Sequence, residues 1–241
     1  MKRIIHAVVM ALLLAPGMLW ADDFDAALEA YDAGDIGTAY EIWRPMAEQG
    51  DAEAQFRLGH IYRGAPGAPF IWGKQARRDH AESARWYRLA AKQRHADAQM
   101  RLGDMYKYGI GVTQDHAEAA RWYRSAAEQG FPHAQFNLGV MYEEGQGVAQ
   151  DYAEAERWYR LAAEQGDANA QFNLGLKYAH GNGVIQDYST AHMWFNIVAR
   201  NGDSAAVNNR DVIADRMTPE AIAEAQRRAR ICIESDYQDC D

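Results

Sequence analysis

Only two cysteines occur in the 241 residues, Cys232 and Cys240, both in the C-terminal tail. No Cys-x-x-Cys is present and the nearest histidine, His192, lies far upstream. A metal site built on this pair is therefore disfavoured; in an oxidising compartment the pair reads as a disulfide. Basic charge is also scarce. Lys and Arg number 25 against 34 Asp and Glu, a formal net charge of −9, which weighs against nucleic acid and anionic lipid as partners. Beyond the first twenty or so residues no apolar run is long enough for a bilayer span. The eight histidines are scattered, with no H-E-x-x-H. G-x-S-x-G is missing, and Ser83, Ser125, Ser189, Ser204 and Ser235 all lack a Lys three residues on. The hydrolase and metalloenzyme motifs are thus absent, and no cofactor is indicated.

The N-terminus has a different character. Lys2 and Arg3 precede an apolar run from Ile4 to Leu14 broken by His6, then Pro16-Gly17, Leu19-Trp20-Ala21 and Asp22-Asp23. This is the three-part plan of a secretory signal, with cleavage expected after Ala21 and a periplasmic or secreted product. An uncleaved anchor fits less well, because the run is short and Pro16-Gly17 interrupts it. Loss of Lys2 and Arg3 takes the formal charge from −9 to −11.

What the chain has in abundance is repetition. Ala98-Gln-Met-Arg-Leu-Gly103 returns as Ala134-Gln-Phe-Asn-Leu-Gly139 and as Ala170-Gln-Phe-Asn-Leu-Gly175, and an earlier copy runs from Ala54 to Gly59. A fixed period of this size means stacked helix pairs. Ala170, Leu174 and Tyr178 form one apolar stripe of a first helix near 168–180. Gly175 beside them suits close approach by a neighbouring helix, which would offset its cost of about 1 kcal/mol relative to Ala. The turns Gly109-x-Gly111-Val112, Gly145-x-Gly147-Val148 and Gly181-x-Gly183-Val184 fail as nucleotide loops, since Gln114, Gln150 and Gln186 replace the third Gly. They read as left-handed helix endings. Second helices start at Asp79, Asp115, Asp151 and Asp187. The first three carry Glu82, Glu118 and Glu154 three residues on, a capping box; the fourth has Thr190 and is expected to be capped more weakly. Seven residues after each Asp stands a tryptophan, Trp86, Trp122, Trp158 and Trp194, each one turn before a small side chain. Such a ladder can stack ligands or fill a core, and the large-beside-small spacing favours core.

These residues resemble the Sel-one-like repeat, a relative of the tetratricopeptide repeat, over roughly Asp35 to Asn209: Ala-x-x-x-Leu-Gly-x-x-Tyr, Gly-x-Gly-Val, Gln-Asp, Trp-Tyr and Ala-Ala-x-Gln-Gly. The resemblance implies an all-α protein, a right-handed α/α solenoid, and an adaptor role in assembling complexes. It divides the chain into a signal at 1–21, an N-terminal capping half repeat at 22–53, four repeats over 54–202 and C-terminal capping helices with the disulfide tail at 203–241. About ten to twelve helices are expected, each unit touching mainly its neighbours. The chain departs from the pattern in the first full unit, which carries eight extra residues and ends in Gln93-Arg94. Some members of the family are linked to β-lactam binding or hydrolysis, so a hydrolase remains an alternative, although S-x-x-K is missing.

Two candidate surfaces follow. Arg57, Arg101, Asn137 and Asn173 point away from the core stripe, with His60, Asp104, Val140 and Leu176 three residues on. Stacking would align them into rows able to grip a carboxylate or an extended peptide, or leave them an ordinary solvated face. In the inserted segment Phe70-Ile71-Trp72 follows a Pro/Gly-rich stretch. Phe70 and Trp72 either tuck onto the first repeat or anchor a partner. The leading expectation is a non-enzymatic exported adaptor for a protein or peptide; the alternative is a module for a cell-wall or small-molecule ligand.

Overall fold

The structure is a computed structural model describing residues 16–64, 70–71, 74–75 and 79–240, with side chains for 23–64 and 79–240. Among the described residues twelve helices are present: α1 (Pro16–Asp32), α2 (Ile36–Glu48), α3 (Ala52–Gly64), α4 (His80–Lys92), α5 (Ala96–Tyr108), α6 (His116–Ala127), α7 (Pro132–Glu144), α8 (Tyr152–Ala163), α9 (Ala168–His180), α10 (Tyr188–Ala199), α11 (Ser204–Ala214) and α12 (Pro219–Glu234). The fold is all-α, built from helix pairs in chain order, as the repeat pattern predicts. One exception falls in the insertion, where β1 (Phe70–Ile71) pairs antiparallel with β2 (Lys74–Gln75). Two residues a side give such a pair no stability of its own. Helix α1 runs on through Ala21, the expected cleavage point, to Asp32; residues 1–15 of the expected signal lie outside the described residues.

The chain forms two compact units, one through Ala98 with Ile110–Val112, the other comprising Gln99–Gly109 and the chain from Thr113 onward. In the first, Trp43, Leu58, Ile61 and Trp86 centre the core. In the second, Leu138 and Trp158 centre one cluster, Leu174 and Trp194 the next, and Phe195 and Ile213 a third.

Local geometry follows from a few recurring residues. Each first helix carries a glycine against which an aromatic ring of the next helix is pressed. A Cβ at Gly59 would lie 2.5 Å from the Tyr87 ring, at Gly139 2.7 Å from Tyr159 and at Gly175 2.6 Å from Phe195. This is the close approach expected of the helical glycines, made by the aromatic residue that follows each Trp. Gly145 (φ 68°) and Gly181 (φ 75°) end α7 and α9 in the left-handed conformation. The next glycine is needed for space as well: a Cβ at Gly147 would sit 2.1 Å from the His116 carbonyl oxygen. The glutamines that spoil a nucleotide-loop reading tie these turns down. Gln114, Gln150 and Gln186 each donate a side-chain N–H to a carbonyl of the preceding helix, at Lys107, Glu143 and Ala179.

Asp79, Asp115, Asp151 and Asp187 accept backbone N–H bonds at the starts of α4, α6, α8 and α10. The reciprocal half of the capping box is corrected by the structure. The backbone N–H groups of these aspartates donate to the carbonyls of Tyr62, Tyr106, Tyr142 and Tyr178, so no glutamate is required there. Glu82 and Glu154 instead bind Arg85 and Arg157, whose guanidinium groups lie 4.3 and 4.2 Å from the ring centroids of Trp86 and Trp158. The fourth cap is not deficient. Thr190 Oγ1 donates to Asp187 Oδ2 at 2.6 Å, and these bonds hold the Asp187 carboxyl below its ordinary range against the opposing effect of burial.

The tryptophan ladder belongs to the core: Trp43, Trp86, Trp158 and Trp194 are buried and Trp122 is half-buried. Cys232 and Cys240 are disulfide-bonded, with Cα atoms 4.4 Å apart.

Candidate binding surface

The residues singled out as a gripping row sit on α3, α5, α7 and α9, immediately before the buried Leu58, Leu102, Leu138 and Leu174. All four are half-buried, and each meets a different environment. Arg57, in the first unit, donates from Nε to Glu53 Oε1 at 2.7 Å and lies 5.9 Å from the Trp43 ring centroid. Glu53 also takes His95 Nε2 at 2.8 Å. The His95 bond first, and then Arg57, hold the Glu53 carboxyl below its ordinary value against desolvation. Arg57 therefore has part of its charge committed locally.

The other three belong to the second unit. Arg101 Nη1 is 3.8 Å from Asp104 Oδ2, a loose pair, and its Nε is buried with no hydrogen-bond acceptor among the described residues. Asp104 accepts the Tyr123 hydroxyl at 2.7 Å; burial first, and then this carboxylate, push the Tyr123 phenol far up. Asn137 donates to the His133 carbonyl at 2.9 Å, leaving its own carbonyl oxygen. Asn173 lies beside the Tyr159 hydroxyl and works against the rise of its pKa. The second row fares worse as a polar surface. His60 sits edge-on to Phe56 at 4.7 Å, while Val140 and Leu176 pack against the core clusters. Phe70 has its backbone in β1; its side chain and all of Trp72 lie outside the described residues.

Three features escaped the sequence reading. The first explains the Ala-Gln and Gln-Gly motifs. Gln129 Nε2 donates to Gln99 Oε1 at 2.7 Å and Gln165 Nε2 to Gln135 Oε1 at 2.8 Å, while Gln135 and Gln171 donate in turn to the carbonyls of Ala127 and Ala163. The buried Gln135 and Gln171 thus stitch consecutive repeats, and the recurrence of Gln55, Gln99, Gln135 and Gln171 in all four repeats was the available signal, the second glutamine giving way to Asn201 in the last.

The second is an ionic knot. Lys177 is 2% exposed, its Nζ 3.3 Å from Glu143 Oε1 and 5.1 Å from the Tyr152 ring centroid, and Glu143 Oε2 accepts the Tyr159 hydroxyl at 2.7 Å. Burial first, then Glu143, push the Tyr159 phenol far up. The signal was a lysine in a column otherwise filled by Ile61, Met105 and Met141. The third is a pair of His–carboxylate contacts of opposite polarity. Glu53 meets His95 in the first unit; in the second, His133 Nδ1 meets the buried Asp167 at 2.7 Å.

Among the described residues no three His, Cys, Asp or Glu side chains converge as a metal site would require, and no helix is long and apolar enough to cross a membrane.

The chain matches the Sel1 repeat over residues 52–95, 96–131, 132–167 and 168–203. Two solved structures are similar. One, a protective antigen present in uropathogenic Escherichia coli strains and displaying an SLR fold, is 35% identical with a TM-score of 0.71 over 78% of this chain and 39% of its own length. The other, a Sel1 repeat protein from Oxalobacter formigenes, is 34% identical with a TM-score of 0.69 over 76% of this chain and 72% of its own. This chain thus spans well under half of the antigen. No curated protein sequence matches it.

Proposed function

The chain belongs to the Sel1 repeat family, and from that premise we propose that it is a non-enzymatic adaptor, acting in the periplasm or after secretion, that holds a protein or peptide partner on its repeats. The partner lies along Arg101, Asn137 and Asn173, with Arg57, Phe70 and Trp72 as the contacts contributed by the first unit. One observation carries this reading: the Arg101 side chain is 33% exposed and has only a loose contact, 3.8 Å, to Asp104. Its outer guanidinium nitrogens are open to an incoming carboxylate or peptide carbonyl. The secretory-signal pattern at 1–21 and the Cys232–Cys240 bond support an oxidising location. The absence from the sequence of hydrolase motifs supports a binding role over catalysis.

Crosslinking and capture from an extract, repeated with the Arg57→Ala/Arg101→Ala double variant and with Trp72→Ala, tests this. Each variant is expected to bind the captured partner tenfold or more weakly, on the order of 1.4 kcal/mol, while circular dichroism shows the helical fold retained. Wild-type affinity in both variants would move the site elsewhere. Retention on purified cell-wall sacculus in place of a protein partner would replace the adaptor reading with a cell-wall one.

A further inference from the structure

The second unit carries a groove of about 390 Å³ between the end of α10 and the second half of α12, within the range of roughly 300–1,000 Å³ common to small-ligand sites. Asn196 and Arg200 form one wall; Gln226, Arg230 and Glu234 form the other; Ala229 and Ile233 supply an apolar floor. The two arginines set this place apart. Most arginines of the chain are held by a partner within their own or an adjacent helix: Arg157 by Glu154, Arg160 by Glu156, Arg216 by Tyr188, and on α12 itself Arg227 by Glu224 and Arg228 by Thr190. Arg200 and Arg230 are exposed and their guanidinium groups make no hydrogen bond or ion pair with any described residue, although Glu234 lines the same groove.

We propose that this groove binds the free C-terminal carboxylate of a peptide whose last side chain is apolar. Two guanidinium groups on facing walls match one carboxylate, since Arg pairs with it bidentately. Glu234 leaves the groove with a single net positive charge, which suits a monoanion and disfavours a dianion such as phosphate through like-charge repulsion. Asn196 donates one N–H to His192 Nδ1 at 3.0 Å, which leaves its side-chain carbonyl oxygen as an acceptor for a peptide N–H, and Gln226 offers both halves of an amide. The floor of Ala229 and Ile233 takes the terminal apolar side chain. The α12 wall is held in place: the disulfide joins Cys232, between Arg230 and Glu234, to Cys240, and Tyr237 N–H returns to the Cys232 carbonyl at 2.7 Å. A wall fixed before binding loses less entropy on binding. The site is separate from the Arg101–Asn173 row and stands or falls independently of it.

The experiment is a titration of the ¹⁵N-labelled full chain with acetyl-Gly-Ala-Leu bearing a free carboxylate, with the same peptide as its C-terminal amide, and with inorganic phosphate. The free-acid peptide is expected to shift amide signals of 196–200 and 226–234. The amide form and phosphate are expected to bind at least tenfold more weakly. Arg200→Gln and Arg230→Gln are each expected to lose at least tenfold with an unchanged melting temperature, whereas Arg121→Gln on α6, paired with Glu118 and outside both surfaces, is expected to bind as wild type does. Equal binding of acid and amide, tighter binding of phosphate, shifts elsewhere in the chain, or no response to the free-acid peptide at millimolar concentration would each overturn the proposal.

Discussion

The third and fourth repeats, 132–167 and 168–203, are built on one frame and filled with different chemistry. Ala134 and Ala170, Leu138 and Leu174, and Trp158 and Trp194 occupy equivalent buried places. Gly139 and Gly175 each receive an aromatic ring, Gly145 and Gly181 each end a helix, and Asp151 and Asp187 each cap the next. Where the third repeat has Met141, Glu143, Glu156 and Tyr159, the fourth has Lys177, Ala179, His192 and Phe195. The changes are coupled. Glu143, which accepts the Tyr159 hydroxyl, is replaced by Ala179 in the repeat that has Phe195 and no hydroxyl to receive. Positions dictated by backbone approach are fixed by geometry; positions dictated by side-chain chemistry can change, provided their partners change with them.

If the frame is what the two repeats share, its largest members should cost the same in both. Trp158→Ala and Trp194→Ala are each expected to destabilise by about 3–5 kcal/mol, as large aromatic deletions in cores do, measured by urea denaturation. Trp122, half-buried, should cost less. A Trp158 variant melting within a degree or two of wild type would break the equivalence. Both indole N–H groups are buried without a hydrogen-bond acceptor, so Trp→Phe at either site should cost much less than Trp→Ala: no hydrogen bond is lost.

The ionic knot should distinguish the repeats where the frame does not. Glu143→Ala strands the Lys177 ammonium, only 2% exposed, without its carboxylate. Breaking a buried pair from one side costs about 3–5 kcal/mol; because the Glu143 side chain is 28% exposed, about 2–3 kcal/mol is expected after screening. Lys177→Met restores the residue type of the third repeat and leaves Glu143 reachable by water and bonded by Tyr159, so a change within about 1 kcal/mol of zero is expected. Equal losses from both substitutions would show that the pair stabilises the fold in its own right.

At the glycines the repeats should part again, more mildly. Alanine gains about 1 kcal/mol of helix propensity but must enter a filled space, a conflict worth about 1–3 kcal/mol. At Gly139 the Cβ meets the Tyr159 ring and, at 3.2 Å, the Ala155 carbonyl oxygen; at Gly175 its three nearest atoms, at 2.6–2.9 Å, all belong to the Phe195 ring. Gly175→Ala should therefore be rescued by Phe195→Leu, whereas shortening Tyr159 should rescue Gly139→Ala only in part. Complete rescue at both would remove the distinction.

The frame was legible because backbone demands restrict residue choice so severely. A helical Gly, a Gly-x-Gly turn and an Asp cap each have a narrow list of substitutes, and repetition displays the first and last four times and the turn three times. The helix pair read at 168–180 and from Asp187 onward falls at Ala168–His180 and Tyr188–Ala199. Less legible was which partner a polar side chain takes. Glu82 and Glu154 satisfied the capping-box spacing, yet their arginines one turn on were closer competitors, and the tyrosine carbonyls had already met the cap N–H groups. The row from Arg57 to Asn173 was visible as a column of positions, but the commitment of Arg57 to Glu53 and of Asn137 to the His133 carbonyl depends on distances no spacing reveals. The groove beside Arg200 and Arg230 was harder still: its walls come from two helices of which α12 lies outside the repeat register.

The smallest expected effect is a pH dependence confined to the fourth repeat. His192 takes the place of Glu156, which is partly buried and binds Arg160 and Tyr178. His192 is buried and accepts an amide N–H from Asn196 on Nδ1, so its neutral form carries the proton on Nε2. Burial first, then the positive charge of Arg210, hold its pKa below 6.5, with Asp211 opposing. A folded pKa below the unfolded value means that the unfolded chain takes up the proton first. The stabilisation from neutral His192 is therefore complete above about pH 6.5 and is lost as the pH falls through the folded pKa. Urea midpoints of wild type and His192→Gln between pH 7.5 and 5.5 check this, the ionisable groups common to both proteins cancelling in the difference. The wild type should lose stability relative to the variant as the pH falls. Parallel curves would mean that Asp211 fully offsets burial and Arg210, and that the fourth repeat tolerates a charged imidazolium where the third holds a carboxylate.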